Sequence, residues 1–184
     1  MWNEPAAKFP FQGEEYQVYF DVQGAVVDTE DNPLLVAYNK DFANNFIRIE
    51  NSNRLTRSMM GNGLGDNSGH WLSTDQLGQS STAAHEFGHA LGLPHPNKLD
   101  YRGEAAPPPI MAPRDTWVDA DFQWNPKVNA GETGGTMHPK YRKVRATEII
   151  EVLKPLNKEK RDRVNLGKIS NTVYDQMANP LLLT

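Results

Sequence analysis

The chain has 184 residues, of which 38% are hydrophobic, 23% charged and 9% aromatic, the profile of one ordinary globular domain rather than a disordered or collagenous segment. It contains no cysteine, which excludes a disulfide framework, a thiol nucleophile, an iron–sulfur cluster and a thiolate zinc site, so any metal must be held by His, Asp or Glu. The net charge of −4 is unevenly placed, with −9 on residues 1–138 and +6 on residues 139–168.

From the N-terminus, residues 1–5 lack the positive and apolar regions of a signal peptide, and apolar runs such as residues 34–37 fall far short of a membrane span. Tyr16, Val18, Phe20 and Val22 alternate with polar neighbours, which predicts a half-buried strand over residues 16–22, with Gly24 allowing a bend before residues 25–27. Residues 33–46 fit a helix or a strand equally well. Short strands are predicted at residues 46–50, 54–60 and 71–73, separated by Asn/Ser/Gly clusters. The glycine-rich stretch 61–69 lacks the spacing and closing lysine of a phosphate-binding loop and reads as a flexible connection, with Asp66 and Asn67 as candidate calcium ligands.

Residues 80–91 form the clearest helix, with Ser80 and Ser81 available to cap it and Gly92 and Pro94 to stop it. Residues 95–143 have little periodicity and carry Pro107-Pro108-Pro109 and Gly134-Gly135, which predicts a loop-rich region. A helix follows over residues 147–153, and a second polar helix is expected after Pro155, through Arg163 to Leu166. Lys154, Lys158, Arg161 and Arg163 alternate with Glu148, Glu151, Glu159 and Asp162, the pattern of solvated helix faces. No aromatic residues interleave to stack bases, so no nucleic-acid partner is expected.

The chemistry concentrates in His85-Glu86-Phe87-Gly88-His89-Ala90-Leu91-Gly92-Leu93-Pro94-His95. At about 100° per residue, His85, Glu86 and His89 share one helix face, opposite Ala83, Phe87, Ala90 and Leu91. Imidazoles four residues apart can meet at one metal, and a left-handed Gly92 would turn the chain so that His95 returns as third ligand. Three neutral imidazoles leave a fourth position open, the arrangement of a catalytic zinc. Glu86 then stands beside the metal as general base and acid, and zinc lowers the pKa of bound water to about 7.

The spacing His-Glu-x-x-His-x-x-Gly-x-x-His resembles the signature of the metzincin clan of zinc endopeptidases, with residues 84–94 most similar to its matrixin-type members. Ile110-Met111-Ala112-Pro113 resembles the clan's methionine turn, which places Met111 beneath the histidines; Met137 is the rival. The resemblance implies an α+β zincin-like catalytic domain spanning residues 1–184. Residues 1–92 would hold a mixed twisted sheet and the active-site helix, and residues 93–184 a loop-rich lower subdomain with C-terminal helices. It further implies one catalytic zinc ion, an extended peptide or protein substrate paired with a rim strand (residues 54–60), a specificity wall from Pro113 onward, and action outside the cell.

The pattern also departs from the family. The start looks short for the family's first strand and backing helix. No tyrosine stands two residues after Met111, and Arg114 stands three after it. His70 alone does not supply the family's structural zinc, so no second zinc is expected. His70 reads as a strand-edge residue, His138 as a loop residue, and Asp119 and Asp121 as surface carboxylates. Two other readings share the site: a zinc-containing module that binds peptides without cutting them, and a zinc hydrolase of a non-peptide amide or ester. Glu86 argues against the first, since holding a metal requires no base.

Overall fold

The computed structural model describes residues 1–27, 32–159 and 163–181. Two strands, β1 (Lys8–Phe11) and β2 (Glu14–Gln17), form an antiparallel hairpin, and a short helix α1 (Asn32–Ala37) follows. A three-stranded sheet comprises β3 (Phe46–Glu50), β4 (Met59–Met60) and β5 (Ser68–Leu72), in the order β3-β5-β4. Its central strand β5 runs parallel to β3 and antiparallel to β4, with Met59 opposite His70 and Met60 opposite Gly69. Helix α2 (Thr82–Ala90) comes next, then a long region whose only helical turns are 3-10 turns at Ala120–Phe122 and Pro139–Tyr141, and finally helix α3 (Ala146–Glu159). No helix among the described residues is long and apolar enough to cross a membrane.

The main apolar core lies where α2, α3 and the N-terminus meet. Trp2, Leu93, Ile110, Met111, Val144, Ile149 and Val152 are buried there, with Phe20, Phe87 and Leu91 packed against them. The Trp2 indole donates to the Ala84 carbonyl at 3.1 Å and meets Phe87 edge-on at 5.8 Å, so the first residues brace the back of α2. The core is thus built directly beneath the helix that carries the histidine motif.

Several predicted elements are corrected. Of the alternating residues at 16–22 only Val18 and Phe20 lie against the core, Tyr16 and Val22 are exposed, and the strand stops at Gln17. The Asn3 side chain takes both backbone groups of Phe20, at 2.7 and 2.9 Å, in place of a neighbouring strand, and no strand forms at 25–27. Residues 54–60 yield only Met59–Met60 as strand, because Thr56 turns the chain at φ +54° and Asn53 Oδ1 accepts the Leu55 and Arg57 amides. The third strand begins at Ser68 rather than residue 71. Helix α3 runs through Pro155 to Glu159 as one helix, its last turn tied by Asn157 Nδ2 to the Pro10 carbonyl at 2.9 Å. Of the second predicted helix, residues 160–162 lie outside the described residues, and 163–166 are not helical.

His70 is also corrected. It is fully buried in the central strand, not at an edge. Asn53 Nδ2 donates to its Nδ1 and its Nε2 donates to the Gln176 carbonyl, each at 3.2 Å, so it pins the C-terminal segment across the sheet.

The loop 61–69 is tied down rather than free. Asp66 accepts the Asn62 and Gly63 amides and lies 3.6 Å from Lys168 Nζ, while Asn67 Oδ1 accepts the Ser170 and Asn171 amides. These oxygens are occupied by protein donors, which argues against the calcium expectation there. Asp119 holds the Gly103 amide, and His138 caps the turn that follows it.

Candidate metal centre

Helix α2 presents His85 and His89 one turn apart, and its C-terminus is closed by the glycine. Gly92 sits at φ +92°; its amide donates to His89 O and the Leu93 amide to Gly88 O, both at 3.0 Å. This paired set of bonds is a Schellman cap, and the left-handed residue it needs is why glycine stands there. The turn reverses the chain, and His95 returns over the helix.

The three imidazoles converge. His95 Nε2 lies 3.2 Å from both His85 Nε2 and His89 Nε2. Among the described residues this is the only group of three or more His, Asp or Glu close enough to share an ion. Ligands about 2.0–2.1 Å from a tetrahedral zinc are separated by about 3.3–3.4 Å, which these distances approach.

The opposite ring nitrogens fix the orientation. His85 Nδ1 donates to the Ile110 carbonyl at 2.7 Å and His89 Nδ1 to the Leu93 carbonyl at 2.8 Å. That tautomer leaves both Nε2 lone pairs pointing at the common centre, an arrangement a cation relieves and that ligating histidines typically show. The donor set therefore fits zinc. Burial, reinforced by the Arg142 charge, holds the His85 pKa well below its usual 6.5, and burial also lowers His89 and His95. The rings are thus already neutral at pH 7. Zinc affinity is expected to change little from pH 8 to 7 and to fall steeply only below pH 6.5, as protons compete for the three nitrogens. Competition with a chromophoric chelator between pH 5 and 8 checks this; a three-proton loss already complete by pH 7 would contradict it.

Glu86 is buried beside the triad, and burial raises its carboxyl to about 7 against the opposing charges of Arg142, Arg57 and Arg114. A carboxyl poised there can accept and return a proton near neutral pH. The triad and Glu86 open into a cleft of about 540 Å³. Arg57 and β4 line it together with Pro113, Arg114 and Asp115.

The turn carrying Met111 is held from three directions. Ile110 O takes the His85 bond, Glu148 accepts the Ile110 and Met111 amides at 3.3 and 3.0 Å, and Arg142 Nη1 donates to Ala112 O at 3.1 Å. Met111 packs against Gly88, one residue before His89, whereas Met137 is buried in a separate cluster with Tyr101, Ala112 and Val118. A Cβ at Gly88 would lie 2.3 Å from Met111 Sδ and 3.3 Å from the Trp2 ring. Helix propensity alone favours Gly88→Ala by about 1 kcal/mol. Crowding dominates here, and Gly88→Ala is expected to destabilise the protein by about 1–3 kcal/mol, read by urea unfolding. A gain in stability would show that Met111 is not wedged against the helix.

Ser81, Arg142 and Glu148 were not singled out as site residues by the sequence. Ser81 Oγ accepts from Arg142 Nε at 2.9 Å and donates to the Pro139 carbonyl instead of capping α2. Ser80 Oγ takes the first-turn amide of Thr82 at 3.2 Å. Comparison with protein-family models, curated proteins and solved structures finds no match to this chain.

Proposed function

We propose that this chain is a zinc-dependent endopeptidase. The observation that carries the reading is the convergence of His85, His89 and His95 through Nε2, each of the first two locked by a backbone carbonyl, beside a buried carboxylate in an open cleft. When bound, zinc supplies Lewis acidity, lowering the pKa of water and polarising the carbonyl under attack. Glu86, lining the same cleft as the triad, would accept the proton of the attacking water and deliver it to the leaving amine nitrogen. The edge strand β4 lines the cleft and is placed to pair with an extended peptide, which would lay the scissile bond across the triad. Glu148 and Arg142 keep the turn beneath His85 in register, so that the ligand is preorganised.

The test is cleavage of a diverse peptide library by the zinc-loaded chain, with cut sites mapped by mass spectrometry with and without a chelator. Chelator-sensitive cuts are expected. Stoichiometric zinc with no cut peptide would overturn the endopeptidase reading in favour of a binding module or a non-peptide hydrolase.

A further inference from the structure

Arg142 is 2% exposed, yet it lines the cleft. Its Nε and Nη1 are spent on two neutral acceptors, Ser81 Oγ and Ala112 O, and among the described residues no carboxylate lies within ion-pair distance of it. Glu86 and Asp75 act on it only at longer range, and a buried guanidinium without a direct ion pair is costly to maintain. Arg48, Arg102, Arg114 and Arg145, all more exposed, each have a carboxylate partner. The position is specific: Arg142 bridges the start of α2 to the turn that continues into Pro113, Arg114 and Asp115, the wall of the cleft. Arg57 and Arg114 add positive charge to the same lining, Arg114 being partly spent on Asp75 at 2.6 Å, and Asp115 and Glu86 are the carboxylates that line it.

We propose that Arg142 selects peptides bearing an acidic side chain next to the scissile bond, whose carboxylate makes the direct ion pair that the guanidinium lacks. This rests on the endopeptidase reading above. The two neutral hydrogen bonds hold the planar fork in place before substrate arrives, so little side-chain entropy remains to be lost on binding a carboxylate. A purely structural bridge between Ser81 and Ala112 would keep the same two bonds and show no preference for charge, which is what separates the two roles.

The experiment uses the zinc-loaded chain and matched octapeptide pools with Glu, Gln, Asp, Asn or Leu fixed beside the cut site. Glu and Asp pools are expected to be cleaved with kcat/KM about tenfold or more above their amide counterparts. Arg142→Lys should shrink that ratio towards one whatever happens to the absolute rates, since the ratio compares two peptides on the same enzyme and cancels any loss from the Ala112 turn that Arg142 also holds. Binding of fluorescein-labelled Glu and Gln peptides to Glu86→Gln, read by anisotropy, gives the same comparison without turnover. Equal cleavage or equal binding of the acid and amide peptides overturns the proposal. So does a preference kept in Arg142→Lys but lost in Arg57→Ala, which assigns it to the rim. If no pool is cut, the endopeptidase reading fails by itself; the anisotropy pair still decides whether Arg142 recognises a carboxylate, and the wild-type acid–amide comparison needs no variant to fold.

Discussion

Replacing Glu86 with glutamine is expected to lower turnover of a cleaved peptide by about 10²–10⁴-fold while zinc still binds one ion per chain. Glutamine preserves the shape of the side chain and its place in the cleft but cannot take a proton from water or return it to an amine. The ligand nitrogens are untouched, because His85 and His89 are oriented by the Ile110 and Leu93 carbonyls and not by Glu86. In the metal-free chain burial, opposed by Arg142, Arg57 and Arg114, raises this carboxyl to about 7; a zinc ion beside it favours the carboxylate, the form that takes a proton from water. Zinc content by plasma emission and single-peptide kinetics on the same preparation check the split. A variant with full zinc and more than a tenth of the wild-type rate would remove Glu86 from the mechanism.

The legible part of this molecule is the part whose determinants are local. Helix α2, the glycine that ends it and the return of His95 all follow from residues within one short stretch, and the structure brings His85, His89 and His95 together as the spacing requires. Strand β3 was readable for the same reason, as five consecutive residues at Phe46–Glu50. The loop-rich character of residues 95–143 followed from prolines and glycines that the backbone cannot absorb into long elements.

The rest depended on partners far away in sequence. Arg142 lies in the basic segment 139–168 with no local sign of burial, but Ser81, 61 residues earlier, and Ala112, 30 residues earlier, supply the acceptors that let it be buried. Glu148 sits in the first turn of α3, where a carboxylate would be expected to serve its own helix; it does take the Arg145 amide at 2.8 Å, and also two amides of the Met111 turn. His70 carries no local sign of burial, because the segment that covers it arrives more than a hundred residues later through Gln176. Pro155 shows the opposite error: a local rule predicted a break, and packing of Ile149 and Val152 together with the Asn157 tether carried the helix through it.

His89→Ala is expected to abolish tight zinc binding and, with it, hydrolysis. Among the described residues the site has three protein donors and no fourth, so removing one leaves two imidazoles and an incomplete coordination sphere. The loss should be visible without any substrate. Zinc binding to the folded state raises stability by about 4 kcal/mol at a free concentration a thousand times its dissociation constant, so added zinc should raise the melting temperature of the wild type by several degrees. That increment should vanish in His89→Ala. The substitution itself should cost little more than the 2.8 Å bond to Leu93 O, about 1 kcal/mol, because His89 is partly exposed and the Schellman cap around Gly92 uses its backbone. His85→Ala should cost more in the metal-free protein, since it strands the buried Ile110 carbonyl beneath the site. Melting curves of the wild type in chelator, the wild type in zinc and both variants in each condition separate metal loss from misfolding. A zinc-dependent rise that survives in His89→Ala would mean that the ion is held elsewhere, and the triad would lose its assignment.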